Sequence, residues 1–100
     1  MVGWDKLRGL TWDSGNDRKS LDEHSVSKSE AEQLFFNEPL LLVPDPKHSQ
    51  EEPRFHALGK TDDGTLLHVT FTLREEGTLI RVISARPMHR KEKLIYEQED

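Results

Sequence analysis

Arg81 and Arg86 bracket the run Val82-Ile83-Ser84-Ala85, and Arg90, Lys91 and Lys93 follow closely, so that between positions 81 and 93 five cations meet one acid, Glu92. The whole chain, by contrast, carries 14 basic and 19 acidic residues and a net charge of −5. Charge segregated in this way is a statement about partners, and a cationic stretch in an acidic chain suits phosphate. Guanidinium binds phosphate oxygens through two parallel hydrogen bonds, which makes Arg54, Arg81 and Arg86 the candidate phosphate ligands. The competing role for Arg81 and Arg86 is internal, in ion pairs with acidic neighbours such as Glu92 or Asp13.

Histidine is the proton carrier that works near neutral pH. Of the five histidines, His24 follows an expected helix and His48 lies in the loop Asp45-Pro46-Lys47-His48-Ser49; these two are the candidates for moving protons, with helix-end or loop-capping roles as the alternative. His56 and His68 fall on expected strands and His89 opens the last helix, so they read as packing or surface groups. The chain has no cysteine, which removes disulfides, thiolate metal sites and a thiol nucleophile. No His-Glu-x-x-His or paired-carboxylate spacing is present, and Glu51-Glu52, Asp62-Asp63 and Glu75-Glu76 read as turn solubilisers. No glycine-rich phosphate loop or nucleophile elbow is present either. Neither a metal nor a cofactor is therefore expected.

One hundred residues, 33% hydrophobic and 33% charged, make one domain with a thin core and a heavily charged surface. No apolar run approaches the roughly 20 residues of a spanning helix, and Met1 does not open a signal-peptide pattern. The expectation is a soluble, unexported, cytoplasmic protein without a membrane partner. Residues 1–9, where Trp4 and Leu7 begin a weak helical spacing, are expected as an N-terminal extension, and residues 10–100 as the domain.

Several elements must position the cations. Leu10-Thr11-Trp12 reads as a short strand and residues 15–23 as a first helix behind Ser14. Ser27-Lys28-Ser29-Glu30 is a capping box, with Ala31, Leu34 and Phe35 as the apolar stripe of a second helix from Lys28 to Phe36. Pro39 ends it, and Leu40-Leu41-Leu42-Val43 is a strand stopped by Pro44. The period then changes: residues 54–59, 66–73 and 79–85 are three strands joined by turns around Gly64 and Gly77. Leu67, Val69, Phe71 and Leu73 share one face, and Leu66, His68, Thr70 and Thr72 the other. Arg81 stands on a mostly apolar face, where an unpaired charge is costly, so a carboxylate or a ligand phosphate should reach it. A final helix spans about Met88 to Gln98. The fold class is α+β: two N-terminal helices on an antiparallel sheet of about four strands, with a C-terminal helix.

Trp12-Asp13, His24-Ser25-Val26-Ser27, Pro44 to Ser49, Glu52-Pro53-Arg54-Phe55, Gly59, Arg81 to Arg86 and Tyr96-Glu97, in this order, resemble the BrnT family of toxins, small RelE-like ribonucleases of type II toxin–antitoxin systems. The likeness covers about Leu10 to Glu97. It implies a RelE-like fold, metal-independent RNA cleavage that inhibits translation, and neutralisation by a BrnA-type antitoxin, in a homodimer or a toxin–antitoxin heterotetramer that reaches DNA only through the antitoxin. His24 falls where the family motif has its His. Metal-free RNA cleavage needs a proton acceptor for the 2′-hydroxyl, cations for the phosphorane and an acid for the leaving oxygen. For that chemistry the candidate catalytic residues are Arg81, Arg86, Arg54 and His24 or His48, and the candidate RNA contacts are Lys19, Arg90, Lys91, Lys93 and Tyr96, the last by stacking on a base; a solvated helix face for the lysines and a core-edge place for Tyr96 are the alternatives.

The sequence departs from the family pattern at Glu23 and Ser25, where Lys and Gly are usual. A reversed charge beside a phosphate site weakens RNA binding, which is largely electrostatic. The alternative reading is therefore a catalytically attenuated RelE-like protein that acts as an antitoxin-binding module.

Overall fold

The capping box at Ser27 forms as the sequence requires. In the computed structural model, which describes residues 9–12, 26–45, 47, 52–74 and 79–99, the Glu30 amide donates to Ser27 Oγ at 3.1 Å and the Ser27 amide donates to Glu30 Oε1 at 3.0 Å. Two amides that have no partner inside the helix are thereby satisfied. Helix α1 runs from Lys28–Gln33 and continues as a 3-10 turn, Leu34–Phe36. An α-helix to Phe36 was expected; the tighter turn instead lets the Asn37 amide reach the Leu34 carbonyl at 3.3 Å before the chain meets Pro39. The expected helix over residues 15–23, together with Lys19, His24, His48 and the first eight residues of the expected N-terminal extension, lies outside the described residues.

Five strands follow the chain as β1 (Gly9–Trp12), β2 (Leu41–Pro44), β3 (Arg54–Lys60), β4 (Leu66–Arg74) and β5 (Leu79–Pro87), and helix α2 (Arg90–Glu99) closes the fold. Their order across the sheet is β1-β5-β4-β3-β2. The β2–β3, β3–β4 and β4–β5 pairs are antiparallel, whereas β1 pairs in parallel with β5. This corrects the expected antiparallel sheet of about four strands: the sheet is mixed and five-stranded. Turn residues reveal hairpins, but a parallel pairing made over a long crossover leaves no local signal.

The β3–β4 turn is fixed by its own side chains. The Asp63 carboxylate accepts from the Thr61 and Thr65 hydroxyls, and Gly64 adopts φ +89°, a conformation that L side chains rarely take.

One sheet face is the main core. Ala57, Val69, Phe71, Ile80, Val82 and Ala85 are wholly buried against Ala31 and Leu34. Phe71 meets Phe35 edge-on at 5.4 Å and stacks on Phe55 at 5.5 Å, geometries that add to area burial. A Cβ on Gly59 would stand 2.9 Å from Leu34 Cγ, so glycine is what lets β3 approach the 3-10 turn.

The opposite face is divided. Toward α2, Leu58, Met88 and Tyr96 form a second small core with Leu41 and Leu66. The rest of that face is polar, because β3, β4 and β5 each place charged or hydroxyl side chains there in alternation with the core residues.

Candidate phosphate-binding site

Three rows of side chains cross the polar face, and their members follow from the strand register. Arg54, Thr72, Arg81 and Thr11 form the first; Val43, His56, Thr70 and Ser84 the second; Leu41, Leu58, His68 and Arg86 the third. Successive rows lie roughly 7 Å apart, two residues along a strand.

Arg81 and Arg86 share this face only because β5 is irregular. Five residues apart, they would point to opposite faces of a regular strand. The register shifts between Thr70 and Phe71: Thr70 pairs with Ser84 but Phe71 with Val82. Ile83 is thus an extra residue, a β-bulge, and it returns Ala85 to the core and Arg86 to the side of Arg81.

Arg81 and Arg86 each meet a carboxylate. Both Arg86 Nη atoms donate to Glu92 at 2.8 Å, tying β5 to the first turn of α2. Glu92 also accepts from the His89 amide at 2.7 Å. These hydrogen bonds, the guanidinium's first, hold its carboxyl down at about 2. Arg81 Nη1 stands 3.8 Å from Glu52 Oε1, beyond hydrogen-bond range, while Arg74 Nη2 holds the other oxygen at 3.1 Å. A carboxylate does approach Arg81, but the bulge sets Arg81 on the polar face and not on the mostly apolar one expected. Arg54 stands beside Thr72, whose hydroxyl donates to the Pro53 carbonyl.

His56 lies at the centre. Its Nε2 is 3.0 Å from Asp45 Oδ2 and its Nδ1 is 2.9 Å from Thr70 Oγ1. The carboxylate only accepts, so Nε2 carries the hydrogen, and in the neutral imidazole Nδ1 accepts from the threonine hydroxyl. His68 packs against the ring with centroids 4.7 Å apart. Its Nδ1 is buried without a hydrogen-bond partner among the described residues. Burial first, and the nearby Arg86 second, push the His68 imidazole down to about 4. At neutral pH its 3.7 Å approach to Glu92 is thus a contact of neutral imidazole with carboxylate.

The structure brings together Arg54, Arg81 and Arg86 of the residues singled out by sequence, and leaves others elsewhere. Arg90, Lys91 and Lys93 are exposed on α2 and belong to none of the three rows. Tyr96 does not present a stacking surface: its side chain is 2% exposed and its hydroxyl donates to the Pro39 carbonyl at 2.6 Å, so it is a core residue. His56, Asp45, Thr70, His68, Glu52 and Glu92 escaped the sequence reading as site residues. A signal for three of them, His56, His68 and Thr70, was present, since Arg54-x-His56 and His68-x-Thr70-x-Thr72 repeat at the strand period with apolar residues between.

Comparison with known proteins gives a consistent result. Residues 12–92 match the family model described as ribonuclease toxin, BrnT, of type II toxin–antitoxin system. The 1.1 Å crystal structure of the Brucella abortus ribonuclease toxin BrnT is similar with a TM-score of 0.58 and 17% identity, over 82% of this chain and 97% of that chain. At that identity the likeness is one of fold. No curated protein matches the chain.

Proposed function

The chain belongs to the BrnT family of ribonuclease toxins of type II toxin–antitoxin systems, and from that premise we propose that its polar sheet face binds and cleaves RNA without a metal. The observation that carries the reading is the placement of Arg54, Arg81 and Arg86 on one face around a hydrogen-bonded histidine. In-line attack by a 2′-hydroxyl leaves a phosphorane with extra negative charge, and preorganised cations lower its energy more than that of the starting diester.

The geometry divides the arginines by role. Arg81 stands 3.8 Å from Glu52, and a phosphate that makes two charge-assisted bonds to the guanidinium takes the place of that carboxylate. Arg54 stands two strands away in the same row, across Thr72. Arg86 is committed to Glu92 by a bidentate pair and acts as the brace that fixes α2 against the sheet. Arg90, Lys91 and Lys93 extend the positive field toward incoming RNA.

Metal independence is supported by the chemistry of the donor set. Among the described residues no three metal-ligating side chains stand together, whereas arginine and histidine suffice for transesterification. Cleavage of a purified mRNA in EDTA, yielding 2′,3′-cyclic phosphate ends, is the expected result; cleavage that appears only with added divalent metal contradicts the reading. Such cleavage removes messages from translation.

Membership of a type II family implies an antitoxin partner. A BrnA-type antitoxin, in a toxin–antitoxin heterotetramer that reaches DNA through it, is the partner the family resemblance supports. The second reading is an attenuated antitoxin-binding module, favoured by the carboxylates that meet Arg81 and Arg86 and by Glu23 in place of the usual lysine. On that reading no RNA is cut, and Arg81→Ala abolishes antitoxin binding.

A further inference from the structure

Resting on the reading that RNA is cut on this face, we infer that His56 is the general base: it accepts the 2′-hydroxyl proton at Nδ1, oriented by Asp45 at Nε2.

The first argument is orientation. A histidine that is to accept a proton needs one nitrogen held by a carboxylate and the other facing a hydroxyl, the arrangement that also activates serine nucleophiles. Asp45 Oδ2 at 3.0 Å and Thr70 Oγ1 at 2.9 Å supply both partners. Thr70 is 8% exposed, so its hydroxyl is poorly placed to attack a substrate; an RNA hydroxyl takes over the bond to Nδ1 when the Thr70 side chain rotates away from it.

The second argument is position. His56 follows Arg54 by one strand period, and its row lies between the row of Arg81 and the row of Arg86. A phosphate held by Arg54 and Arg81 therefore has this imidazole as its neighbour one row away. The His56 side chain is 29% exposed and that of His68 10%, so solvent and substrate reach the former. His68 is the packed wall behind it. Because burial keeps His68 neutral, it adds no cation against the imidazolium that forms on His56.

The step balances simply. The 2′-oxygen bonds to phosphorus while the bond from phosphorus to the 5′-oxygen breaks. The 2′-hydroxyl proton passes to His56 Nδ1, and the departing 5′-oxygen takes a proton from solvent water. Asp45 stabilises the imidazolium, which later returns its proton to solvent. The products are a 2′,3′-cyclic phosphate and a 5′-hydroxyl.

Among the described residues, the groups that face His56 are Asp45 from the end of β2, His68 from β4, Arg54 on its own strand, Arg81 and Arg86 from β5, and Glu92 from α2. A base must be unprotonated to work, so kcat/KM of the intact protein rises with pH on the acid side of its profile.

The test measures cleavage of one RNA in EDTA across pH by the intact chain and by His56→Ala, His56→Gln, Asp45→Asn and Arg81→Ala, each first shown to melt cooperatively. The inference predicts a loss of about 10²–10⁴-fold for both His56 variants, disappearance of the acid limb, partial rescue of His56→Ala by added imidazole, and a smaller loss for Asp45→Asn. If the intact chain cuts, Arg81→Ala does not, and His56→Ala cuts with an unchanged profile, the base is another group while the phosphate site stands. If the intact chain cuts nothing, the inference falls together with the reading it rests on. Should His56→Ala fail to fold, His56→Gln, which keeps a polar group toward Asp45, decides the matter by its profile.

Discussion

Arg81 and Arg86 stand on the same sheet face because Ile83 between them is an extra residue, opposite no partner on β4. Their spacing of five is incompatible with a regular strand, and the bulge reconciles it with a single binding face. Removing the bulge residue restores regular alternation: in a chain lacking Ile83, Val82 and Ala85 still face the core, and Arg81, Ser84 and Arg86 the polar side. Deletion of Ile83, ordinarily a severe change within a strand, is therefore expected to leave a cooperatively folded protein, destabilised by about 1–2 kcal/mol for the lost half-buried side chain. Thermal unfolding checks this, and a chain that no longer folds contradicts the register.

Acid sensitivity divides between two residues. The folded-state value of His68 is lowered from 6.5 to about 4, so the unfolded chain binds the extra proton in that interval and stability falls as pH drops from about 6.5 to 4. Glu92, lowered from 4.5 to about 2, contributes stability that is fully present above its unfolded value and is lost as pH falls from about 4.5 to 2. Each effect is on the order of 2 kcal/mol. Denaturant melts against pH are expected to flatten in the upper window for His68→Gln and in the lower window for Glu92→Gln.

The close approach of β3 to the 3-10 turn gives a packing test. With Leu34 Cγ 2.9 Å from the position of a Gly59 Cβ, Gly59→Ala overpacks the core and costs about 1–3 kcal/mol. Leu34→Ala, which removes the nearest of the obstructing atoms but keeps Cβ, costs about 2–5 kcal/mol alone. The double variant is expected to be more stable than the sum of the two losses, a coupling that chemical denaturation measures directly.

Tyr96 separates core from site. Its hydroxyl bond to Pro39 crosses from α2 to the segment before β2, so Tyr96→Phe should cost about 1 kcal/mol or slightly more, as for a buried hydrogen bond. Any RNA cleavage should proceed at the wild-type rate. A large loss of cleavage with unchanged stability would put the ring back among the RNA contacts.

Much of the fold was legible where local chemistry decides it. The Ser27–Glu30 capping box, the turn at Gly64 and the alternation of β4 are short-range features, and they appear in the structure within a residue or two of where the sequence places them. The parallel seat of β1 beside β5 was not legible, since it depends on contacts across some seventy residues of chain. The bulge at Ile83 was hidden for a related reason: only the pairing with β4 shows that a residue is in excess. The three arginines were visible as charge. His56 and Asp45 were not, because one lies on a strand and the other in a proline-flanked loop, and only the register of β2 on β3 brings them within hydrogen-bond distance.

The central claim is that RNA is bound and cut on the polar sheet face and not along the outer surface of α2. The direct measurement compares cleavage of one RNA in EDTA by the intact chain, Arg81→Ala and Lys91→Ala, which each remove one positive charge from a different surface. The account predicts a loss of about 10²-fold or more for Arg81→Ala and a change within about threefold for Lys91→Ala, whose contact is with the field and not with the scissile phosphate. Full activity in Arg81→Ala alongside a collapse in Lys91→Ala would contradict it and move the site to the helix.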